Sequence, residues 1–546
     1  MIAIAGVAFA VGAVTAAGPG RAERQLVSRY VRAWAAGDYA GMYSMLDSNS
    51  RAHTTETEFR AAYTRTAATA TLISLRALRV GRRAGGEVPV RVSVHTRLFG
   101  TLTELLEVPL SGSGSGATVH LSPVLLFPGL RDGERLTRRV SLPPRATLLA
   151  GDGTPLAEGP ERFSPIPAVA GQIVGTLGPI PAAEKAIYAT NGYPGDAQVG
   201  QDGLERIFQQ QLAGTPGGTL RAGRRVLARI SPVPGHKVKT TIDPRLEQAA
   251  VTAEAGRYAG IAVMEPRTGA VLALAGVAFS GLQPPGSTMK IVTATGALQA
   301  GIVKLSDTFP IQSSATLDGY TLQNANGEAC GGTFLNAFAV SCNSVFAPLG
   351  AKLGAKRLVS IAERFGFNLP TSIPGAAEST IPSAATIGDD LAVGSSAIGQ
   401  GRVQTTALEM TDVGATIAMG GRRPIPTLQA DATPRFVRVT SARVAHLVQR
   451  MMVAVVSFGT GTSAAIPGVE VAGKTGTAEL RSTAGPSASP TATQNSPANT
   501  DSWFVGYAPV GHPRVVVGAL FPAQGAGATT AAPAVHDILL AALARH

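Results

Sequence analysis

Three short motifs in a fixed order constrain this chain more than any other feature. Ser287-Thr288-Met289-Lys290 follows Pro284-Pro285-Gly286 and opens a helical stretch over residues 288–300. Ser341-Cys342-Asn343 comes next, and Lys474-Thr475-Gly476-Thr477 lies in a strand-like run over residues 469–477. Each motif alone is weak: a lone Ser-x-x-Lys is usually helix surface, and Lys-Thr-Gly is common in turns. Their joint, ordered occurrence specifies a nucleophile, a base and a cationic strand edge.

The chemistry explains the spacing. Residues i and i+3 of a helix share a face, so Ser287 and Lys290 can meet. Serine is a poor nucleophile until a base takes its proton. Lysine can be that base only when neutral, and burial together with a neighbouring cation pushes its pKa down. Lys474 is the expected cation. The backbone N–H of Ser287 at the helix start, with that of Thr477 at the strand edge, is expected to hold an oxyanion. Ser341 is expected to relay a proton between Lys290 and a leaving amine, and Asn343 to hold an amide of the donor through its side chain. Lys474 and Thr475 are expected to bind a terminal carboxylate. Gly476, lacking a side chain, lets an extended substrate lie along the strand as an added β-strand.

The rest of the chain divides by texture. At 546 residues, with 45% hydrophobic and 15% charged residues, it should fold as several domains. Residues 1–20 carry no charged side chain and read as a membrane anchor or signal segment, near the lower limit for a span. The basic residues that normally precede such a segment are missing, and Arg21, Arg24 and Arg29 follow it instead. From residue 21 to 46 an amphipathic helix is expected, with Leu26, Tyr30 and Trp34 at four-residue spacing and a break at Gly37-Asp38-Tyr39. A second helix over 58–68 precedes an alternating sheet: Val88, Val90, Val92, Val94, then Leu102, Leu105 and Val108. Residues 129–239 are rich in Pro and Gly, with short strand-like runs. From residue 240 a helix opening at Asp243-Pro244, a hairpin over 260–274 and late strands near 502–507 and 514–520 are expected. The Ser/Thr/Pro-rich stretch 481–500 reads as a solvated loop.

A net charge of +12 comes from scattered basic residues, not from Lys/Arg runs between aromatics. This suits a basic surface near anionic lipid or wall polymer and not a nucleic-acid site. The two cysteines, Cys330 and Cys342, lie in no metal-ligand pattern. Neither a metal nor a cofactor is expected. The cysteines either pair or sit as two small core thiols.

Further stretches carry a family resemblance. Thr240-Thr241-Ile242-Asp243-Pro244, Pro266-Arg267-Thr268-Gly269, Ile398-Gly399-Gln400-Gly401, Gly459-Thr460-Gly461 and Trp503-Phe504-Val505-Gly506 accompany the three motifs. Over residues 240–546 the chain resembles the transpeptidase domain of class B penicillin-binding proteins. Residues 21–128 resemble a small NTF2-like α+β domain, with its Gly-Asp-Tyr after the first helix. Residues 129–239 resemble a β-rich linker or dimerisation domain: Arg145, Gly153, Leu156 and Ala157 match its pattern, while Ala146 and Ala150-Gly151 depart from it.

The resemblance implies a multidomain α+β protein whose penicillin-binding transpeptidase fold is an antiparallel five-stranded sheet flanked by helices, with the cleft at the sheet edge. It implies a monofunctional peptidoglycan D,D-transpeptidase that acts through a serine acyl-enzyme and is acylated by β-lactam antibiotics at the same serine. A D,D-carboxypeptidase, or a non-catalytic β-lactam sensor or wall-scaffold protein, is the alternative. The implied partners are peptidoglycan stem peptides, β-lactams, membrane lipid and other cell-wall synthesis proteins. The implied location is the cell membrane, with a single N-terminal span and the catalytic domain outside. An exported, oxidising setting favours a Cys330–Cys342 disulfide beside the second motif.

Overall fold

The computed structural model describes residues 20–481 and 496–544. Residues 1–19 of the expected anchor (1–20) and residues 482–495 of the expected loop (481–500) lie outside the described residues. Among the described residues no helix is long and apolar enough to cross a membrane.

The chain forms two compact units. One comprises the residues up to Arg145 with Gly178–Val199 and Ala213–Gly235; the other comprises Ala146–Leu177, Gly200–Leu212 and His236–His546. The stretch 129–239, read as one linking domain, is thus shared between both. The reason lies in pairing and burial. Strands Gly217–Ala222 and Arg225–Ile230 pair with each other, and the former also pairs with Leu136–Ser141. Leu220 and Ala222 share a core with Trp34 and Val90, whereas Leu148, Leu156 and Leu204 belong to the core of the second unit.

In the first unit, α1 (Arg21–Ala35) buries Leu26, Val27, Tyr30, Val31 and Trp34, the stripe that its spacing requires. Gly37 adopts a positive φ of 70°, and Asp38 then accepts a 2.8 Å hydrogen bond from the Gly41 N–H to start the next turn. Helix α2 (Glu56–Ala70) opens on a capping box between Thr55 and Glu58. Strands β1 (Leu72–Val80), β2 (Glu87–Thr96) and β3 (Gly100–Ser111) pair antiparallel. Val88, Val90, Val92 and Val94 are fully buried on one face of β2. On β3 the expected inward set mixes faces: Leu105 is 49% exposed, and Leu106, Val108 and Leu110 face the core. A strand's period of two cannot place Leu102, Leu105 and Val108 on one side.

The second unit begins with a small sheet in which Leu148–Leu149 pairs parallel with Val238–Lys239 and antiparallel with Pro155–Ala157. Then come α3 (Pro244–Glu254), β4 (Gly260–Glu265), β5 (Ala270–Gly276) and α4 (Lys290–Gln299). Asp243 caps α3 by accepting from the Arg245 N–H, with Pro244 in the first helical position. An insertion of four short strands follows: β6 (Thr308–Gln312), β7 (Ser314–Leu317), β8 (Tyr320–Gln323) and β9 (Cys330–Thr333). Helices α5 (Phe334–Ala339), α6 (Asn343–Leu353), α7 (Ala407–Ala418) and α8 (Ala442–Ser457) lead to β10 (Ala472–Glu479), β11 (Thr500–Ala508), β12 (Val515–Phe521) and α9 (Ala531–Leu543).

The main sheet is five-stranded in the order β5-β4-β12-β11-β10, antiparallel throughout. It is the middle layer of the unit. Every residue of β11 and β12 is buried, so both read as continuous apolar runs. Alternate residues serve opposite cores. Ala262, Met264, Val505 and Val516 pack with α4, α7 and α8, whereas Ile261, Val263, Phe504 and Val517 pack with α3 and α9. β10 forms one edge of this sheet and carries the third motif to the rim of the helical layer.

Candidate active site

Ser287 lies in a 3₁₀ turn, Gly286–Met289, and Lys290 is the first residue of α4. The expected single helix over 288–300 is therefore tighter at its start. In a 3₁₀ turn residues i and i+3 eclipse, which brings the pair into register. Lys290 Nζ stands 2.9 Å from Ser287 Oγ. It also donates to the Ser341 carbonyl at 2.7 Å and to Asn343 Oδ1 at 2.7 Å, and lies 3.3 Å from Ser341 Oγ. Lys290 is completely buried, over the ring of Phe346. Burial, and secondly the nearby Lys474, hold its amine well below the usual lysine pKa.

The second motif sits in the turn between α5 and α6. Ser341 has a positive φ of 64°, a strained conformation for a residue with a side chain. Two lysines hold it there. Lys290 takes its carbonyl, and Lys474 Nζ donates to its Oγ at 2.9 Å. Asn343 presents Oδ1 to Lys290 and donates through Nδ2 to the Gln323 carbonyl at 3.0 Å. Both ends of its amide are thus engaged within the protein. Cys342 is bonded to Cys330, with Cα atoms 5.8 Å apart.

On β10, Lys474 is also completely buried, over the Phe338 ring, and donates to the Thr475 carbonyl at 3.0 Å. Burial brings its pKa down to about 7. Thr475 Oγ1 and Thr460 Oγ1 lie 2.5 Å apart, so the Gly459-Thr460-Gly461 turn braces the third motif. Thr477 is half-buried at the strand edge beside Gly286. The glycine at 476 has a different cause from the expected one. A Cβ there would lie 2.8 Å from both the Pro285 carbonyl and Trp503 Cβ, so it lets β10 press against the serine turn.

All five residues expected to do chemistry therefore meet. Ser287, Ser341 and Asn343 are partly open, with the two lysines buried beneath them. Sequence reasoning assigned no role to Thr460, nor to the aromatic pair Phe338 and Phe346 under the amines. The signal for Thr460 was its motif-like Gly-Thr-Gly; for the rings there was only apolar helix periodicity.

Gly286 offers a direct check on the oxyanion geometry. Its φ is 51°, and a Cβ there would fall 2.6 Å from the Thr477 carbonyl. Gly286→Ala is expected to push the turn off β10 and slow acylation by a β-lactam roughly 10-fold or more, by the cost of misplacing reacting groups. Rapid-quench labelling measures this.

Comparison with known proteins identifies the domains. The penicillin-binding protein transpeptidase domain family matches residues 259–540. The penicillin-binding protein dimerisation domain matches 148–240, and the NTF2-like N-terminal transpeptidase domain matches 22–134. The chain is 31% identical over 376 residues to the peptidoglycan D,D-transpeptidase PbpA of Mycolicibacterium smegmatis, covering 57% of this chain and 73% of that one. It resembles the D,D-transpeptidase domain of a peptidoglycan glycosyltransferase from Eggerthella lenta with a TM-score of 0.60 at 29% identity, over 74% of this chain and 99% of that one. It also resembles penicillin-binding protein A from M. tuberculosis in its imipenem acyl-enzyme complex, with a TM-score of 0.57 at 26% identity, over 73% and 99% of the two chains. A serine and a neutral-leaning lysine one turn apart thus face the cationic edge strand of a five-stranded sheet, and the chain belongs to the penicillin-binding protein transpeptidase family.

Proposed function

We propose that this protein is a peptidoglycan D,D-transpeptidase that forms peptide cross-links through an acyl-enzyme on Ser287. Ser287 Oγ attacks the penultimate D-Ala carbonyl as its proton passes to Lys290 Nζ. The N–H groups of Ser287 and Thr477 receive the oxyanion. When the C–N bond breaks, the proton returns through Ser341 to the leaving D-Ala. The amine of a second stem peptide then attacks the ester, and the Ser287 oxygen regains a proton. Lys474 and Thr475 bind the terminal carboxylate, and the substrate lies along β10 past Gly476 and Thr477. Asn343 orients Lys290 through its oxygen and meets the donor peptide with the amide hydrogen that Gln323 does not take.

The single observation that carries this reading is the meeting of Ser287 Oγ, Lys290 Nζ, Ser341 Oγ and Lys474 Nζ in one hydrogen-bonded chain. The reading places the catalytic unit outside the cytoplasmic membrane, anchored through residues 1–20 in lipid, with an NTF2-like domain (21–128) and a linking stretch (129–239) that is divided between the two units. Those parts are where other wall-synthesis proteins would dock.

Mass spectrometry of the protein treated with penicillin tests it. A single adduct on the peptide containing Ser287 is expected, together with a cross-linked product when a stem peptide and an amine acceptor are supplied. An adduct on another residue contradicts the site. Hydrolysis with no cross-linked product contradicts transfer and favours the carboxypeptidase.

A further inference from the structure

The second motif and the residue after it are held by three ties to one insertion. Residues 342, 343 and 344 each reach the β6–β9 insertion. Cys342 is bonded to Cys330, Asn343 Nδ2 donates to the Gln323 carbonyl at 3.0 Å, and the Ser344 N–H donates to Asn324 Oδ1 at 2.8 Å. The third tie has an unusual origin. The first N–H groups of a helix need an acceptor, usually the side chain of the N-cap residue. The N-cap of α6 is Cys342, whose side chain makes no capping hydrogen bond. Asn324, from twenty residues upstream, supplies the acceptor instead.

Asn324 is built for this. It is 2% exposed, and its Nδ2 donates to the Gln312 carbonyl at 2.8 Å and to the Glu328 carbonyl at 2.9 Å, with Ser344 Oγ at 3.1 Å. One planar amide therefore closes the end of β6, the loop before β9 and the first turn of α6. A carboxylate could accept from Ser344 but could not donate to the two carbonyls. An alanine would leave the buried Ser344 N–H without its acceptor and take a donor from the Gln312 and Glu328 carbonyls.

We infer that Asn324 is a positioning residue for the reaction: it caps α6 from the insertion and so fixes Ser341 and Asn343 on Lys290. The inference rests on the serine acyl-enzyme reading above. Its consequence runs through Lys290 Nζ, whose acceptors at 2.7 Å, the Ser341 carbonyl and Asn343 Oδ1, both belong to the capped segment. Lys290 also faces Ser287 from its own turn and Lys474 from β10. If the segment loosens, water reaches the amine. The amine then holds its proton more strongly and the base is lost at neutral pH.

The test is the second-order rate of labelling by a fluorescent penicillin, measured from about pH 4 to 10 on the full chain, with a parallel thermal melt. Wild-type protein must label on Ser287; if it does not, the functional reading fails and not this inference. Asn324→Ala is expected to melt cooperatively and to label roughly 30-fold more slowly at neutral pH, within the cost of a misplacement of about 1 Å. Its rising limb should move up by about one pH unit. Asn324→Asp, which keeps the cap and loses both donors, should fall between. If Asn324→Ala does not fold, Asn324→Asp carries the test, with a several-fold slowing and a limb shifted the same way. Labelling within about twofold of wild type overturns the inference. So does slow labelling with an unmoved limb, because a merely structural loss would not change the protonation of Lys290.

Discussion

Lys290→Ala is expected to slow acylation of Ser287 roughly 1,000- to 10,000-fold while the catalytic unit remains folded. The geometry gives the reason. Two of the atoms around Lys290 Nζ, the Ser341 carbonyl and Asn343 Oδ1, are oxygens that can only accept. A neutral amine has two N–H bonds, and these two acceptors use both. Its lone pair is then left for the hydroxyl of Ser287 at 2.9 Å. Burial and Lys474 favour that neutral form. Among the described residues, Lys290 is the one side chain that hydrogen-bonds Ser287 Oγ. Removing the amine frees Ser341 and Asn343 of one partner but also removes a desolvated cation-forming group, so the melting temperature should change little. Burst labelling with a fluorescent penicillin, read beside a melting curve, checks both parts. An unchanged labelling rate in a folded variant rejects the base role.

How much of this was legible follows from which interactions are local. The Ser287–Lys290 contact is set by one turn of backbone, so it could be read from spacing alone. The valine alternation at 88–94 and the capped start at Asp243-Pro244 are local in the same way, and the structure keeps them. Other features depend on what packs opposite. Gly476 looks like an opening for substrate until Pro285 and Trp503 are seen against it. Leu105 looks like a core leucine until the register of β3 turns it outward. Strand Gly217–Ala222 reads as linker because its partner, Leu136–Ser141, is far away in sequence. The cap from Asn324 to Ser344 is of this kind too, since no local rule assigns a helix cap to a residue on another element. The cysteines stand between the cases: a separation of twelve residues permits a bond, and the fold of the insertion makes it.

Lys474→Ala is expected to lower the same acylation rate roughly 1,000-fold near pH 7 and to change the shape of its pH profile. Acylation needs Lys290 neutral and Lys474 charged. The rate should rise with deprotonation of Lys290, whose pKa burial holds well below the usual lysine value, and fall as Lys474 loses its proton at about 7. The two amines interact, so the limbs belong to the pair. The profile of kcat/KM for a small β-lactam reports the free protein. Once a substrate carboxylate is bound, the anion favours the charged amine, and the falling limb of kcat should lie at higher pH. Without Lys474 the falling limb should disappear, because no cation remains there to be lost. The rising limb should move to higher pH, because a like charge no longer opposes protonation of Lys290. Ser341 Oγ also loses its 2.9 Å donor, which weakens the route by which a proton reaches the leaving group. A stem-peptide substrate whose terminal carboxylate is amidated separates the two roles of Lys474. In wild type, amidation should cost most of the affinity; in Lys474→Ala it should cost little more, since the group that reads the charge has gone. If the variant keeps a falling limb near neutral pH, another group titrates there and Lys474 is not the cation that the reaction needs.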